Sequence, residues 1–543
     1  MKLISQIVNN NKSIVLFLFL VALGFRLWGI TDQFEAWDET AIVRNGEINL
    51  NYIRNGDFSA ESWSLVKEHP PFARYFYGAT RIVSLRIPYF TNVLDQDYPL
   101  GRRYTFQRIV SAIIASLSVV LVFLLVKKFY NKKAGVISAL ILSFTPYFIG
   151  HSRIATQESL VAFLTLFAVY VFFLALKSKD LNNKLYLAAG LILGFAISTK
   201  FNAVFFLVLF AALAVLHFRH TFVKDWKKIF NNRIILIPII SFLTLYLMWP
   251  WLWPDPVGRI LLSLSRIDNS RYLEYFLGQY PSPHPWYYFF VYFFAATSPV
   301  MLFGVVTFIL KIIFRRGNYD LWFLLYFLTP FLASFSPLRM DGIRYIFPVY
   351  PALAIICGLS IDWLVNILKM DKKRKVKIAA SYILPPLIVG YLVFLAVIYH
   401  PFYMDYYNSF AGGPKNVYEK RLFDFGYWGE GLRSAFRYLS DIADDKPITV
   451  YYITVPLHVT PDVSSNLHKI GQIEAADYVI INPTGEWIDD VSYLNFGFPE
   501  HFDLVYYENV TKAGTGGFYN GKIGVYNIPI VRIYKRNQPY GGQ

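Results

Sequence analysis

Two adjacent carboxylates, Asp38 and Glu39, follow the first long apolar segment of the sequence. Burying charge costs free energy unless a partner or a reaction offsets that cost, so an acidic pair beside a membrane segment has no inexpensive structural role. A carboxylate held in such a place can act as a general base, which takes a proton from a reacting group. The pair is therefore the first candidate for catalysis.

The same polar stretch carries a second acidic group. Glu68 and His69 stand directly before Pro70 and Pro71, and a double proline restricts the preceding backbone to an extended form. Taken alone, Glu68 is an ordinary loop charge at a membrane surface. Together with Asp38 it indicates a functional loop.

Further charged residues lie close to the ends of apolar segments. They are Arg153, Glu158, Lys200, His284 and Arg344. Isolated cations in such positions usually extend to lipid headgroups. Lys200, however, lies in a very tight connection between two apolar segments. Cations that converge from several segment ends form a suitable pocket for a phosphate.

The composition predicts a polytopic membrane protein. Of 543 residues, 55% are hydrophobic, 19% aromatic and only 16% charged, which is far from the balance of a soluble protein. The formal charge of +16 comes from Lys and Arg in short clusters between apolar stretches, a pattern typical of loops that face anionic lipid rather than nucleic acid. With one cysteine, Cys357, no intramolecular disulfide can form.

A bilayer requires about 20 apolar residues per helix, and about 11 segments qualify or nearly qualify. They cover residues 13–30, 108–126, 134–149, 159–176, 185–198, 201–218, 234–249, 286–313, 321–335, 345–368 and 378–399. Lys and Arg occupy alternate loops, which predicts that those loops and the N-terminus are cytoplasmic. The first outward loop, 31–107, then carries the acidic motif on the outer side of the cell membrane.

After residue 400 the apolar runs shorten. Residues 448–455, 476–481, 503–507 and 530–534 have the pattern of strands, and residues 430–442 that of an amphipathic helix. We therefore predict a transmembrane domain over 1–400 and a small extracytoplasmic α/β domain over 401–543.

Several of these segments, in this order, resemble the GT-C glycosyltransferases. The similarity is greatest to the branch of protein O-mannosyltransferases and aminoarabinose transferases, which depend on a phospholipid carrier. It rests on residues 37–39, 68–72, 194–200, 284–288 and 344–351, and on Arg153 with an acid five positions later. Residues 406–413 and 426–429 also look like prokaryotic members of this group.

The resemblance implies that a sugar is transferred from a polyprenyl-phosphate donor to a protein hydroxyl, a lipid or a glycan outside the cytoplasmic membrane. Asp38 would be the general base, supported by Glu39, with inversion at the anomeric carbon. The donor phosphate would be bound by His69, Arg153, Lys200, His284 and Arg344. Glu68 and Glu158 would be supporting acidic residues.

A divalent metal is the one cofactor that the resemblance suggests. Glu68, Glu158 and His284 have the ligand types for it. The position of Glu158, however, more often carries Asp in the family, and ion pairs of Glu158 with Arg153 and Lys200 would satisfy the same charges. The sequence leaves both alternatives open.

Other functions also remain open. An oligosaccharide transferase or ligase with a pyrophosphate carrier would share the acidic outward loop. A transporter normally places ionisable groups near the bilayer midplane, whereas here the polar residues collect on one side. A membrane-anchored receptor, in which the C-terminal domain does the work, is the third alternative.

Overall fold

A computed structural model gives the fold. It describes residues 11–32, 36–67, 69–88, 90, 104–178, 183–224, 234–266, 274–279, 281, 283–337, 339–368, 374–426, 429, 432–443, 446–453, 467–470, 473–481, 502–509 and 529–536. Glu68 lies outside the described residues, so its predicted place beside Asp38 stays a prediction.

All the predicted apolar segments are mainly helical where the structure describes them. The helices up to residue 266 are α1 Asn11–Leu27, α2 Trp37–Arg54, α3 Phe72–Ser84, α4 Thr105–Phe129, α5 Lys132–Ser143, α6 Pro146–Ser152, α7 Gln157–Lys177, α8 Asn183–Thr199, α9 Phe205–Lys224, α10 Leu236–Met248 and α11 Pro256–Arg266. The later ones are α12 Tyr288–Ala296, α13 Pro299–Arg315, α14 Asp320–Leu328, α15 Val349–Leu368, α16 Arg374–Ile398, α17 Gly413–Glu419 and α18 Leu432–Ala443.

Fewer of these helices meet the length of a full bilayer crossing than the sequence suggests. Within the described residues, four helices are long and apolar enough, or up to six if each of two bent pairs forms one span. Other apolar helices, such as Leu236–Met248, have 10–17 residues. The molecule is thus a multi-pass membrane protein, and the number of about 11 spans stays a prediction.

Two of the predicted segments are broken. Helices α5 and α6 meet at 63°, and α12 and α13 at 117°. In both cases proline opens the second helix, at Pro146 and Pro299. Proline lacks an N–H for the preceding turn and disfavours helical backbone in the residue before it, so the first helix has to end. The apolar run 286–313 is therefore two helices in sharply different directions.

Two glycines bring the helices α2 and α3 into close contact. A Cβ on Gly46 would lie 1.9 Å from the carbonyl oxygen of Arg74, and a Cβ on Gly78 would lie 2.3 Å from the carbonyl carbon of Gly46. Only glycine permits this approach, which fixes the helix that carries Asp38 against the helix that follows His69.

The C-terminal part contains a five-stranded sheet and the helix α18, while a separate extracytoplasmic domain over 401–543 stays a prediction. Its strands are β1 Ile448–Ile453, β2 Leu467–Lys469, β3 Tyr478–Ile481, β4 Phe502–Asn509 and β5 Pro529–Arg536, in the sheet order β2-β1-β3-β5-β4. The first three strands are parallel, while β5 is antiparallel to both β3 and β4. The apolar face of α18, including Phe436 and Leu439, packs with Ile480 of the sheet. The sequence missed β2, which at three residues is too short to show alternation.

Candidate active site

Asp38 lies in the first turn of α2, at a position close to the surface. Its side chain is 15% exposed, so it is mostly enclosed but still reachable. Its Oδ2 accepts a hydrogen bond from Nη2 of Arg344. The predicted base is thus paired with one of the predicted phosphate-binding cations.

Arg344 joins three carboxylates. Besides Asp38, its Nε lies 2.5 Å from Oε1 of Glu158, and its Nη1 lies 3.4 Å from Oδ2 of Asp341. It stands in a single 3-10 turn, Gly342–Ile346, that precedes α15. The planar guanidinium offers several N–H donors in fixed directions, which allows one side chain to bridge several acids.

Lys200 completes this ionic cluster. Its Nζ lies 3.0 Å from Oε1 of Glu158 and 4.1 Å from the centre of the Tyr345 ring. Glu158 is in the first turn of α7, where the helix dipole favours a negative charge. The structure therefore brings together Asp38, Glu158, Lys200 and Arg344, which the sequence singles out from four distant segments.

His69 belongs to the same neighbourhood. Burial, and then the charges of Arg74, Lys200 and Arg344, lower the pKa of its imidazole to about 3. It is therefore neutral at physiological pH and can accept or donate one hydrogen bond without adding charge.

Glu39 has a different environment from Asp38. It is fully buried and bonded twice to Arg108, with Nε–Oε1 at 2.8 Å and Nη2–Oε2 at 2.5 Å. It also accepts the backbone N–H groups of Ala36 at 3.0 Å and Ala155 at 2.9 Å. Glu39 thus ties the start of α2 to α4 and to the loop before α7, which sets the direction of Asp38.

Arg153 is directed to another part of the protein. Its Nη2 donates to the carbonyl oxygen of Trp28 at 2.7 Å, its Nη1 lies 3.3 Å from Nδ1 of His400, and its guanidinium stands 5.3 Å from the Tyr403 ring centre. These contacts join the end of α1 to the residues after α16. The sequence suggests ion pairs of Glu158 with Arg153 and Lys200. In the structure the partners of Glu158 are Lys200 and Arg344, while Arg153 makes the contacts given above.

His284 lies beside a second buried acid, Glu274, with 4.0 Å between Nε2 and Oε2. Burial, and then the charge of Asp341, raises the pKa of Glu274 to about 7. Glu274 accepts hydrogen bonds from the hydroxyls of Tyr288 and Tyr292 and, at 2.9 Å, from the N–H groups of Asp341 and Gly342. His284 is therefore linked to the Arg344 cluster through Glu274 and the 341–342 turn.

This turn has an unusual backbone. Asp341 has φ of 55° and Gly342 has φ of 57°, a left-handed conformation that a residue with a Cβ rarely adopts. The two N–H groups that converge on Glu274 hold the turn in place. Asp341, which no sequence pattern identifies, thereby faces both Arg344 and the space next to it.

An open cleft adjoins the cluster. Its lining residues are Tyr147, His151, Glu274, Tyr292, Asp341, Gly342, Ile343, Met404, Asp405, Tyr407 and Asp424. Asp405 and Asp424 come from the segment after α16. The aromatic pattern of residues 406–413 marks that segment in the sequence, but not these two acids.

The residues do not fit a metal site. Among the residues that the structure describes, no group of three or more His, Cys, Asp or Glu side chains is arranged to hold a metal ion. Glu158 is bonded by Lys200 and Arg344, and His284 lies by Glu274. Glu158 and His284 are the two described members of the predicted set Glu68, Glu158 and His284. They contact other partners and do not form a metal site together.

Comparison with known proteins supports the resemblance. Residues 14–254 match the family model of dolichyl-phosphate-mannose-protein mannosyltransferases, so the first part of the chain is similar to that family. The matched part includes Asp38, Glu158 and Lys200 but not Arg344. No curated protein sequence matches the chain significantly.

Among solved structures, the chain is similar to ArnT from Cupriavidus metallidurans bound to undecaprenyl phosphate. The TM-score is 0.50 and the identity 13%, over 96% of this chain and 98% of that one. The apo state of ArnT gives a TM-score of 0.50 and 13% identity over 96% and 97% of the two chains. AglB, an oligosaccharyltransferase from Archaeoglobus fulgidus, gives 0.48 and 14% over 71% and 55%. The likeness to ArnT shows that the chain has a GT-C type membrane fold.

Proposed function

We propose that the protein is a glycosyltransferase that moves a sugar from a polyprenyl-phosphate donor to an acceptor on the outer face of the cytoplasmic membrane. The observation that carries the proposal is the cluster in which a reachable carboxylate, Asp38, contacts Arg344, while Arg344 and Lys200 share the buried carboxylate of Glu158. The match of residues 14–254 to the mannosyltransferase family model supports mannose or a related hexose as the sugar. The ArnT structure with bound undecaprenyl phosphate supports a lipid monophosphate carrier.

The chemistry needs a base and a stabilised leaving group. Asp38 accepts the proton of the acceptor hydroxyl while the acceptor oxygen forms its bond to the anomeric carbon. The bond from that carbon to the phosphate oxygen breaks on the opposite side, and its electron pair leaves with the lipid phosphate, so that the configuration inverts. A positioned base contributes about 10²–10⁴-fold, and fixed cations stabilise the charge that develops on the phosphate.

Because Arg344 is paired with Asp38, the donor has a second role besides supplying the sugar: it releases the base. In the described arrangement the guanidinium occupies the carboxylate that has to take the proton. The donor phosphodiester carries one negative charge, as a carboxylate does, and it also accepts bidentate hydrogen bonds from arginine. A donor phosphate that takes the N–H groups of Arg344 frees Asp38 for the acceptor.

The test is a transfer assay in membranes with radiolabelled polyprenyl-phosphate mannose. Asp38→Asn keeps the size of the side chain and removes its basicity, so we expect a loss of about 10²–10⁴-fold at an unchanged protein level. Asp57→Asn is the matched control, because Asp57 lies in the same predicted loop and its carboxylate accepts hydrogen bonds from Ser59 and Ser62 rather than from a member of the Asp38 cluster. Transfer by Asp38→Asn at the rate of the control would remove Asp38 from the role of base.

A further inference from the structure

The residue that follows Arg344 is bound by the connection that carries Lys200. The Nζ of Lys200 lies 4.1 Å from the centre of the Tyr345 ring, and the side-chain Nδ2 of Asn202 donates a hydrogen bond to the carbonyl oxygen of Tyr345. Asn202 and Tyr345 are 143 residues apart in the sequence. The segments that carry the two cations are therefore joined directly beside the cations themselves.

The connection between α8 and α9 has a well-defined backbone. The N–H of Lys200 donates to the carbonyl oxygen of Ala196 at 3.0 Å, and the N–H of Ala203 donates to that of Lys200 at 3.1 Å. Lys200 is extended and directly precedes the 3-10 turn Phe201–Val204, which contains Asn202. These bonds fix Asn202 relative to Lys200, so a contact made by one of these side chains also locates the other.

Asn202 uses only the donor half of its amide. The residue is 5% exposed, and its Oδ1 is buried with no hydrogen-bond partner among the residues that the structure describes. Such atoms are rare in proteins, and each one costs free energy. The bond from Nδ2 to Tyr345 offsets this cost, which marks that bond as the contribution of the side chain.

The turn that carries Arg344 is held at both of its ends. At its start, Glu274 accepts the backbone N–H groups of residues 341–342, each at 2.9 Å. At its end, Asn202 donates to the backbone. Arg344 lies between these two anchors, so Asn202 sets its place from the side of Lys200.

The spacing of the two cations suits a single anion. The Nζ of Lys200 lies 3.0 Å, and the Nε of Arg344 2.5 Å, from the same oxygen, Oε1 of Glu158. Donors that converge on one carboxylate oxygen are close enough to bind two oxygens of one phosphate. A displacement of about 1 Å in such an arrangement can cost up to about 10²-fold in activity. The distance between Lys200 and Arg344 therefore has to be kept.

We propose that Asn202 is a positioning residue for the donor phosphate. It holds the turn of Arg344 against the connection of Lys200 and so sets the spacing at which both cations bind one phosphate group. The inference rests on the proposed function, and it identifies a residue that acts on the donor through Arg344 without touching the donor.

Asn202→Leu tests this role, because leucine has nearly the size of asparagine and cannot donate to Tyr345. The affinity for polyprenyl phosphate is measured with the full-length protein in detergent, from the thermal stabilisation that this ligand gives. We expect the affinity to fall about tenfold, since the guanidinium of Arg344 is displaced. Asn416→Leu is the matched control and should bind as the wild type does, because Nδ2 of Asn416 also donates to a backbone carbonyl, that of Ala411 at 2.8 Å, but lies on α17 outside the Asp38 cluster.

The same substitution in an Arg344→Lys background separates positioning from general damage. A lysine at this position cannot bridge the phosphate and the acids, so the exact place of the turn matters less. We expect Asn202→Leu to lower the affinity at most about twofold there. The unfolding temperature of the ligand-free protein should fall by a similar amount in both backgrounds, because the bond to Tyr345 is lost in each. A residue with only a structural role would lower the affinity equally in both.

The outcomes separate this inference from the proposed function. Wild-type affinity in Asn202→Leu, or a tenfold loss that persists undiminished in the Arg344→Lys background, would overturn the role of Asn202 and leave the transferase proposal standing. If the wild type does not bind polyprenyl phosphate, the transferase proposal fails and the inference with it. Should Asn202→Leu not fold, Asn202→Ala, which removes the donor without adding bulk, is compared in the same two backgrounds with the same expected results.

Discussion

At the scale of single residues, Arg344 is the centre of the candidate site. One guanidinium serves Asp38, Glu158 and Asp341. Lysine, as a compact point charge, cannot reproduce three directed contacts. The geometry of the fork, and not only the charge, is therefore what holds the base in its resting position.

Replacement of Arg344 by lysine tests this requirement for a fork. We expect Arg344→Lys to lower kcat/KM for the donor more than tenfold, because a single ammonium cannot bridge the phosphate and the acids. Saturation kinetics with the labelled donor measures the change. Arg339→Lys serves as the control, since Arg339 lies five residues earlier and donates to the backbone carbonyls of His284, Ser334 and Ser336. Equal kinetics for the two variants would contradict the special role of Arg344.

The sequence identifies the charged residues of the site better than the residues that they contact. Asp38, Glu158, Lys200 and Arg344 are predictable because each stands at the end of an apolar segment on the same predicted side. Arg153 stands there as well, but it follows the short helix α6 and reaches the carbonyl of Trp28. The direction of a side chain at a helix end depends on how the helix is rotated in the bundle, which spacing along the chain does not record.

At the scale of elements, the helices α2, α3 and α4 form the frame that aims Asp38. Glu39 and Arg108 connect α2 to α4 as a fully buried ion pair, while the glycines Gly46 and Gly78 let α2 lie directly on α3. Glu39 is consequently a positioning residue for its neighbour Asp38.

The buried ion pair of Glu39 and Arg108 predicts what happens when Glu39 is replaced by the uncharged glutamine. Glu39→Gln leaves the guanidinium of Arg108 buried without its anion, and breaking a buried pair in this way typically costs about 3–5 kcal/mol. We expect a lower unfolding temperature in detergent and, below that temperature, a lower kcat with an unchanged donor KM, because Asp38 is displaced while the cations are not.

A second substitution distinguishes positioning from chemistry. Adding Arg108→Met to Glu39→Gln removes the stranded charge and should recover part of the lost thermal stability. If Glu39→Gln unfolds at the temperature of the wild type, or lowers activity only through KM, Glu39 does not act through the frame.

The breaks between α5 and α6 and between α12 and α13 show that hydropathy along the sequence does not reveal where an apolar run changes direction. Residues 286–313 form one apolar run, but Pro299 divides it into α12 and α13. The proline is visible in the sequence, whereas the 117° angle depends on the packing of both halves against other helices. The short strand β2 is a similar case, because it is specified by its pairing with β1 rather than by its own three residues.

At the scale of the whole molecule, the fold class follows from composition alone, since so apolar a chain must place its helices in a bilayer. The sidedness follows from the Lys and Arg clusters in alternate loops, which predict a cytoplasmic N-terminus and an outer C-terminal α/β part. This arrangement would place the Asp38 cluster and the cleft on the outer face.

Cysteine labelling in intact cells tests this sidedness. The single native cysteine, Cys357, is 2% exposed, so it should react little with a membrane-impermeant maleimide. We expect Lys415→Cys, after α16, to be labelled from outside, and Lys133→Cys, in the first turn of α5, to be labelled only after the membrane is opened. Labelling of Lys133→Cys in intact cells would reverse the predicted orientation.

The cleft takes Asp405, Tyr407 and Asp424 from a stretch that follows the last apolar helix. The ribosome therefore makes these residues after every member of the Asp38 cluster. A nascent chain halted at α16 would already contain the base and both cations, yet it would lack this wall of the cleft. In the proposed enzyme, the cleft beside the Asp38 cluster is thus complete only once the segment after α16 has been synthesised and folded.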